Sequence, residues 1–278
     1  MSDLREIILT IKRAPSLPVE ASEISPDKLA GKSVKEIESI KLWEGNRQST
    51  LEDLFKVSEN PNGKEETTIR VVGNASKIRK IGSKTSSGSI IVEGNAGMYV
   101  GEDMSGGSIL VTGDAGSWLG MRMKGGKIEV KGNAGDYVGA GYRGTDLGMK
   151  GGTIAIHGNA GNEVGCWMTN GNIRIYGNVG LFPGIHMSNG TILAEGGCAG
   201  RAGAQMRGGK VIISGHIPGI LPSFSFDEIQ QRAKFLDEKI TGPFYAFSGD
   251  MNENGKGKLS VRVSANPHLK WCEQYLEA

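Results

Sequence analysis

The side chains that most often carry metal or nucleophilic chemistry are few and widely spaced in this chain. They are His157, His186, His216, His268, Cys166, Cys198 and Cys272. No H-E-x-x-H, C-x-x-C, P-loop or G-x-S-x-G sequence occurs, and the cysteines are too scattered for a disulfide framework. His157 and His186 fall at different positions of a 19-residue repeat, His216 directly follows its last copy and His268 lies in the tail, so stacking of repeats should not bring them together. We therefore predict no catalytic, cofactor-binding or metal-binding residue in this chain.

Glycine and methionine, by contrast, recur at fixed intervals. The glycine that closes an I-x-V-x-G pattern stands at Gly94, Gly113, Gly132, Gly158, Gly177, Gly196 and Gly215, 19 residues apart except for one interval of 26. Six of the ten methionines share one position of the repeat, namely Met104, Met123, Met149, Met168, Met187 and Met206. A metal-binding or redox methionine cluster would explain this column. An unbranched side chain that fills the core beside glycine corners explains it better.

The best-kept part of the repeat is a 13-residue unit, G-x-x-M-x-x-G-x-I-x-V-x-G. Its seven copies occupy 82–94, 101–113, 120–132, 146–158, 165–177, 184–196 and 203–215. Before the closing glycines, β-branched residues recur at every second position, and the residues between and after them are mostly polar, which is typical of a short strand. Such a unit cannot bury its apolar side alone and must stack on its neighbours. We therefore predict an all-β fold, a right-handed parallel β-helix solenoid of about seven coils with glycine at the corners.

The flanks do not repeat and should form small α+β caps over the open ends of the coils. We predict an N-terminal capping segment over 1–70, the β-helix domain over 71–218 and a C-terminal extension over 219–278. The first should contain a strand at 4–12, a helix and strand within 33–45, and a helical turn capped by Ser49 or Thr50. The last should contain an amphipathic helix near 226–239 and a β-hairpin.

One column of the repeat suggests a function. It contains Tyr99, Trp118, Tyr137, Glu163, Phe182 and Arg201, and the position after it is apolar throughout. Alternation therefore turns the aromatic column outward, either as a ladder satisfied within the chain or as a protein interface, where aromatic and arginine side chains are common. The seven-residue insertion in the fourth unit should display Tyr142, Arg143 and Asp146, either as a tolerated loop or as a further contact with a partner.

Composition excludes several functional classes. The formal net charge is only +2, which gives no case for binding nucleic acid or an anionic membrane. No run of 18 apolar residues and no apolar signal segment is present, so we expect a cytoplasmic protein that neither crosses nor binds a membrane.

The chain resembles the C subunit of formylmethanofuran dehydrogenases. The resemblance is carried by "EIILTIKRAPSLPVEA", "GNAGMYVGEDMSGGSILVTG", "GAGYRGTDLGMKGGTIAIHG", "PGIHMSNGTI" and "FYAFSGDMNENGKGKL", and it covers almost the whole chain. The Gly-x-x-Met unit alone is also similar to the C subunit of the bacterial formyltransferase/hydrolase complex and to the C-terminal β-helix domain of large glutamate synthases. Those two remain the alternatives, the latter as a stand-alone module.

The resemblance implies a non-catalytic scaffold subunit within an oxidoreductase complex. That complex reduces CO2 with methanofuran to formylmethanofuran in archaeal methanogenesis, or runs the reverse. The resemblance places a tungsten or molybdenum pterin in the B and D subunits, a dinuclear metal site in the A subunit and iron–sulfur clusters in electron-transfer subunits. It assigns no cofactor to the C subunit, and no family catalytic residue transfers to this sequence.

Overall fold

The protein is described by a computed structural model that covers residues 5–60 and 67–276. It is predominantly β, as predicted. The strands before the repeats are β1 (Arg5–Ile11), β2 (Val19–Glu20), β3 (Lys41–Glu44), β4 (Arg47–Thr50), β5 (Phe55–Asn60), β6 (Thr67–Val72) and β7 (Ile78–Arg79). Those of the repeats are β8 (Ser89–Glu93), β9 (Ser108–Val111), β10 (Lys127–Val130), β11 (Lys150–Ile156), β12 (Asn170–Ile175), β13 (Val179–Leu181), β14 (Thr191–Ala194), β15 (Cys198–Gly200) and β16 (Lys210–Ile213).

Three long strands follow the repeats, namely β17 (Ser225–Phe235), β18 (Glu238–Gly249) and β19 (Gly257–Arg262). The helices are short: α1 (Pro26–Leu29), α2 (Val34–Glu38) and α3 (Leu51–Leu54), with 3-10 turns at Met251–Glu253 and Pro267–Tyr275. Within the described ranges, none of these helices has the length and apolar character needed to cross a membrane.

The repeats stack in register along one sheet. In the described part of the chain this sheet has 13 strands, in the order β17-β18-β19-β16-β14-β12-β11-β10-β9-β8-β6-β1-β5. From β6 to β16 all neighbouring strands are parallel, so Ile109 lies between Ile90 and Ile128 of the adjacent repeats. These isoleucines are at most 2% exposed, and the column therefore faces the core as predicted.

A second line of contacts joins the repeats away from this sheet. Isolated parallel bridges connect Ala75, Ala96, Ala115, Ala134, Ala160 and Val179 in turn. All six members of the methionine column are fully buried. A Cβ added to Gly152 would lie only 2.7 Å from Met123 Cε, which shows how closely the thioether methyl groups fill the space beside glycine. The core-filling role of the methionines is therefore confirmed.

Glycine is needed for two different reasons. Gly120 has a φ of +62°, and a Cβ there would lie 2.5 Å from Cδ1 of Ile154 in the next repeat. Gly132 lies outside the left-handed region, but a Cβ there would lie 2.8 Å from the carbonyl carbon of Gly113 in the preceding repeat. Thus Gly120 is a corner in the predicted sense, whereas Gly132 permits close approach of two backbones.

The N-terminal flank follows the sequence-based expectations. β1 lies within the segment predicted as a strand and pairs in parallel with β6, while β5 pairs antiparallel with β1. α2 and β3 form the expected helix and strand within 33–45. α3 begins after Thr50, whose backbone N–H donates to the Asp53 carboxylate at 2.7 Å. Because β6 spans residue 70 and joins the long sheet, the flank is continuous with the repeats.

The predicted amphipathic helix near 226–239 is wrong, since this segment forms β17 and the turn into β18. Apolar residues at Phe226, Ile229 and Ala233 have helical spacing, but they belong to a strand with two register shifts, at Phe226/Glu228 and Gln230/Arg232. The first shift inserts a residue in β17 and breaks its two-residue period, whereas the second inserts a residue in β18. Pairing with β18 and burial on the sheet override local helical preference. The two predicted strands that follow, within β18 and β19, are confirmed.

Candidate functional site

Three aromatic side chains from consecutive repeats form a stack on the surface. The ring centroids of Tyr99 and Trp118 are 5.3 Å apart with 16° between the planes, and those of Trp118 and Tyr137 are 4.6 Å apart with 14°. The three residues are partly exposed, whereas the following Val100 and Leu119 are fully buried. The column therefore faces outward, as alternation predicts. We call these three rings the aromatic ladder.

The backbone sets the spacing of the aromatic ladder. Tyr99, Trp118 and Tyr137 have φ values of +63°, +59° and +65°, in the left-handed region that costs a non-glycine residue about 1–2 kcal/mol. The Tyr99 N–H donates to the Ser117 carbonyl at 3.0 Å, and the Trp118 N–H to the Asp136 carbonyl at 2.8 Å. These bonds hold each ring directly over the next. Stacking, worth about 0.5–1.5 kcal/mol per aromatic pair, offsets part of the strain.

Cationic side chains lie at both ends of the aromatic ladder. The Lys80 ammonium is 5.9 Å from the Tyr99 ring centroid. At the other end, the Arg143 guanidinium is 5.4 Å from the Tyr137 centroid and donates a 2.7 Å hydrogen bond to its hydroxyl. Further along the same column, Arg201 lies 5.4 Å from the ring of Phe182. The surface thus combines aromatic faces with two arginines, and both kinds of side chain are enriched at the centres of protein interfaces.

The insertion displays its side chains on the surface, as predicted. Tyr142 is 52% exposed, and both Arg143 and Asp146 are exposed. Tyr142 and Arg143 form one wall of an open cleft of about 190 Å³ beside the aromatic ladder. The other lining residues include Glu163 and Trp167, and the latter stacks on His186 with centroids 4.1 Å apart. The structure therefore brings the insertion and the outward column together, a proximity that sequence reasoning left undetermined.

The thiols are held in their unreactive form. Burial, followed by the charge of Glu163, raises the pKa of Cys166 to about 12. Burial likewise raises the pKa of Cys198 and of Cys272 to about 11. Since the thiolate is the nucleophile and metal ligand, these cysteines are protonated at neutral pH and serve as small buried side chains.

The expectation that stacking keeps the histidines apart is wrong for one pair. His216 and His268 have ring centroids 5.1 Å apart. β19 pairs in parallel with β16, and this non-repeating contact brings the C-terminal tail back to the last repeat. His157 instead lies 2.9 Å from a Glu129 carboxylate oxygen. Among residues 5–60 and 67–276, no three His, Cys, Asp or Glu side chains are grouped so as to hold a metal ion.

Sequence reasoning missed a second ladder, made of polar side chains that follow the closing glycines. The Asn95 carboxamide oxygen accepts from the Asp114 N–H at 2.9 Å, and the Asp114 carboxylate accepts from the Asn133 N–H at 2.7 Å. Asn159 and Asn178 continue the series. The recurring G-N-A-G sequence was the available signal. These bonds satisfy backbone donors between repeats and stabilise the stack beneath the outward column.

The fold and this surface define a class: a β-rich repeat protein that presents an outward aromatic ladder flanked by cations. No family model matches the chain. The chain is 44% identical to the C subunit of tungsten-containing formylmethanofuran dehydrogenase 2 from Methanothermobacter wolfeii over 99 residues. The aligned residues make up 35% of this chain and 37% of that protein. It is 41% identical over 99 residues to the C subunit of molybdenum-containing formylmethanofuran dehydrogenase 1 from Methanosarcina barkeri. Here the aligned residues make up 35% of this chain and 33% of that protein. The alignments thus span about a third of the length of these curated relatives.

A solved structure is similar over more of the chain. It is that of the formyltransferase/hydrolase complex from Methylorubrum extorquens with methylofuran. The TM-score is 0.81 at 29% identity, over 92% of this chain and 99% of that one. The particular proteins that this chain resembles are therefore members of formylmethanofuran dehydrogenase and formyltransferase/hydrolase complexes. The Methanothermobacter and Methanosarcina relatives belong to an oxidoreductase complex.

Proposed function

We propose that this chain is the structural, non-catalytic C subunit of a formylmethanofuran dehydrogenase complex in the cytoplasm. The relatives at 41–44% identity carry that name. The observation that carries the proposal is the aromatic ladder, an outward surface of interface-type side chains in a chain whose buried thiols are protonated. In this proposal the complex converts CO2 and methanofuran to formylmethanofuran, and the chemistry takes place in the other subunits.

The architecture that we propose for this role is a right-handed parallel β-helix of about seven coils, with flanking caps over 1–70 and 219–278. It is supported by the parallel register from β6 to β16 and by the line of alanine bridges on another side of each repeat. A stack of this kind is stiff along its axis because each repeat contacts its neighbours throughout. Such a body can hold larger subunits in a fixed arrangement.

The docking surface that we propose consists of the aromatic ladder, its extension along the column and the insertion. Its residues are Tyr99, Trp118, Tyr137, Phe182, Arg201, Tyr142 and Arg143. The partners in this proposal are the A, B and D subunits and the iron–sulfur subunits. These would hold the tungsten or molybdenum pterin, the iron–sulfur clusters and the dinuclear metal site.

One observation favours a second candidate function. The similarity to the Methylorubrum extorquens formyltransferase/hydrolase complex extends over 92% of this chain, so the role of the C subunit in a complex of that type is the alternative. Purification of the assembly from the native source separates the two. The dehydrogenase predicts co-elution with tungsten or molybdenum, whereas the formyltransferase/hydrolase predicts partners without a pterin metal.

The docking surface is tested by truncating its side chains. Trp118→Ala, Phe182→Ala and Arg143→Ala should each leave the chain folded. Truncations outside the core usually change stability by no more than about 0.5 kcal/mol, and Trp118→Ala also loses two ring stacks worth about 0.5–1.5 kcal/mol each. At the centre of an interface the same changes cost about 2 kcal/mol or more of binding. Trp43→Ala is the matched control, since Trp43 is 51% exposed and lies in β3, outside this surface.

The measurement is recovery of the catalytic subunits by the tagged chain, together with CO2 reduction per assembled complex. The expected result is reduced recovery for the three variants and normal recovery for the control, with activity falling in proportion to assembly. Normal recovery in all three would eliminate this docking surface. Normal recovery with low activity per complex would show instead that the chain takes part in catalysis.

A further inference from the structure

A row of lysines on the outer face of the sheet departs from the charge pattern of the rest of that face. Elsewhere, basic groups lie between acidic ones. Arg70 contacts Glu6 at 2.7 Å and also Glu93, and Arg174 contacts Glu195 at 2.6 Å. Such alternation across neighbouring strands is the arrangement expected of a satisfied surface.

At the C-terminal end of the repeats the alternation stops. Lys210 of β16 lies directly opposite Lys258 of β19 in the parallel register. Lys258 has one acidic partner, Asp227, at 2.9 Å. Lys210, Lys234 and Lys256 have no side-chain hydrogen bond or ion pair with any residue that the structure describes. Like charges at directly opposite positions repel each other, and of this pair only Lys258 has an acidic partner among the described residues.

Two open clefts meet at these lysines. One, of about 220 Å³, has an apolar floor that includes Ile212 and Ala246, with Lys210, Lys234 and Lys258 around it. The other, of about 400 Å³, is lined by Lys210, Lys256 and Lys258 and otherwise by uncharged residues, including Asn170, Asn172, Asn189 and Thr191. None of the described residues that line the two clefts is a carboxylate. The groove therefore offers hydrogen-bonding side chains and three lysines without an acidic partner among the described residues, Lys210, Lys234 and Lys256, while Lys258 is paired with Asp227 at its edge.

We propose that this groove, formed by Lys210, Lys234, Lys256 and Lys258, docks an acidic peptide segment of a partner protein in the complex. This inference rests on the proposed function and adds a second contact surface to it. Carboxylates would receive charge-assisted hydrogen bonds from the lysines, and the asparagine and threonine side chains can bond the extended backbone. RNA is disfavoured because no aromatic side chain is among the described residues that line either cleft, and single-stranded nucleic acid binds largely by stacking on aromatic rings.

The first test uses the full chain and a synthetic probe. A fluorescein-labelled hexaglutamate peptide should bind the chain, with an affinity that falls as salt is added. Lys210→Gln combined with Lys256→Gln should weaken binding roughly tenfold or more, as the loss of charge-assisted contacts predicts. The matched control is Lys41→Gln combined with Lys56→Gln, which removes the same charge from exposed lysines elsewhere and should keep binding within about twofold of the original value.

Three outcomes of this test would overturn the proposal. They are no binding of hexaglutamate, equal binding by both double variants, and preferential binding of an oligouridine of the same length. The last would assign the groove to RNA. Far-ultraviolet circular dichroism on each variant verifies that the fold is intact, and removal of like charges should not lower its melting temperature.

The second test places the groove within the assembly. The Lys210→Gln, Lys256→Gln chain should recover fewer partner subunits than the Lys41→Gln, Lys56→Gln control. Equal recovery by both would refute the acidic-segment inference and leave the proposed structural role standing. If the unaltered chain recovers no dehydrogenase or formyltransferase subunits, the proposed function fails. The hexaglutamate assay then still decides whether the groove binds acidic peptide.

Discussion

The corner glycine Gly120 provides the sharpest test of how the repeats are packed. Its Cα lies beneath the next repeat, so that an added Cβ would meet Ile154 Cδ1 at 2.5 Å and Ile128 Cδ1 at 3.4 Å. Its φ is +62°. Gly144 in the insertion is the matched control, because it has a φ of +84° and no atom within 4 Å of an added Cβ. The two positions share left-handed backbone and differ in packing.

The expected magnitudes follow from these contacts. Alanine in the left-handed region costs about 1–2 kcal/mol, while loss of glycine entropy from the unfolded chain returns about 0.4–1 kcal/mol. Gly144→Ala should therefore destabilise the protein by about 1 kcal/mol. Gly120→Ala should lose a further 1–3 kcal/mol, roughly, because the close-packed core must shift to admit a methyl group.

Urea unfolding followed by tryptophan fluorescence measures both changes. A second substitution identifies the clashing atom, since Ile154→Val removes Cδ1. Alone it should cost about 0.5–1.5 kcal/mol, but combined with Gly120→Ala it should recover stability, giving a favourable coupling of about 1 kcal/mol or more. Strict additivity of the two changes, or equal destabilisation by Gly120→Ala and Gly144→Ala, would refute this description of the corner.

Three other outcomes are expected. Ile128→Asp and Ile173→Asp should each cost more than about 3 kcal/mol, because they bury an unpaired carboxyl group; an unchanged melting temperature would show that the column does not face inward. Glu129→Gln should lower the melting temperature at pH 7 but not near pH 2. The Lys131 and His157 hydrogen bonds hold the pKa of Glu129 at about 2, below its ordinary 4.5, so its contribution is complete above about pH 4.5 and is lost as the pH falls towards 2. An equal difference at both pH values would contradict this assignment. Elemental analysis of the desalted chain should find no stoichiometric zinc, iron, molybdenum or tungsten, and about one metal per chain would disprove the prediction.

Most of the repeat region could be predicted because one physical constraint acts at every copy. A 19-residue spacing places Ile109 and Ile128 at equivalent positions, and stacking then sets their strands opposite each other. The outward direction of the aromatic column followed from the same alternation. The ring stacking did not, because it depends on left-handed backbone at Tyr99 and Trp118, where side-chain type alone would favour ordinary β conformation.

Three further features that the sequence did not predict lie where the chain leaves the repeat. β17 was mistaken for a helix because a bulge within it disguises its period. One tertiary contact, the pairing of β19 with β16, brings together His216 and His268 and also Lys210 and Lys258. The spacing of these residues in the sequence does not predict this strand pairing, because β17 and β18 lie between β16 and β19. The register places apolar residues such as Val211 and Leu259 opposite each other.

Side chains that serve a partner are constrained differently within the stack and at its ends. Within the stack, a residue is constrained by the repeats on both sides, so a side chain that serves a partner must occupy an outward position without disturbing the register. The aromatic ladder meets that condition, since its rings stack on one another above buried Val100 and Leu119. At the ends of the stack the constraint is released on one side. The lysine groove arises there, because β19 supplies Lys258 as an extra rung that the repeat sequence does not specify.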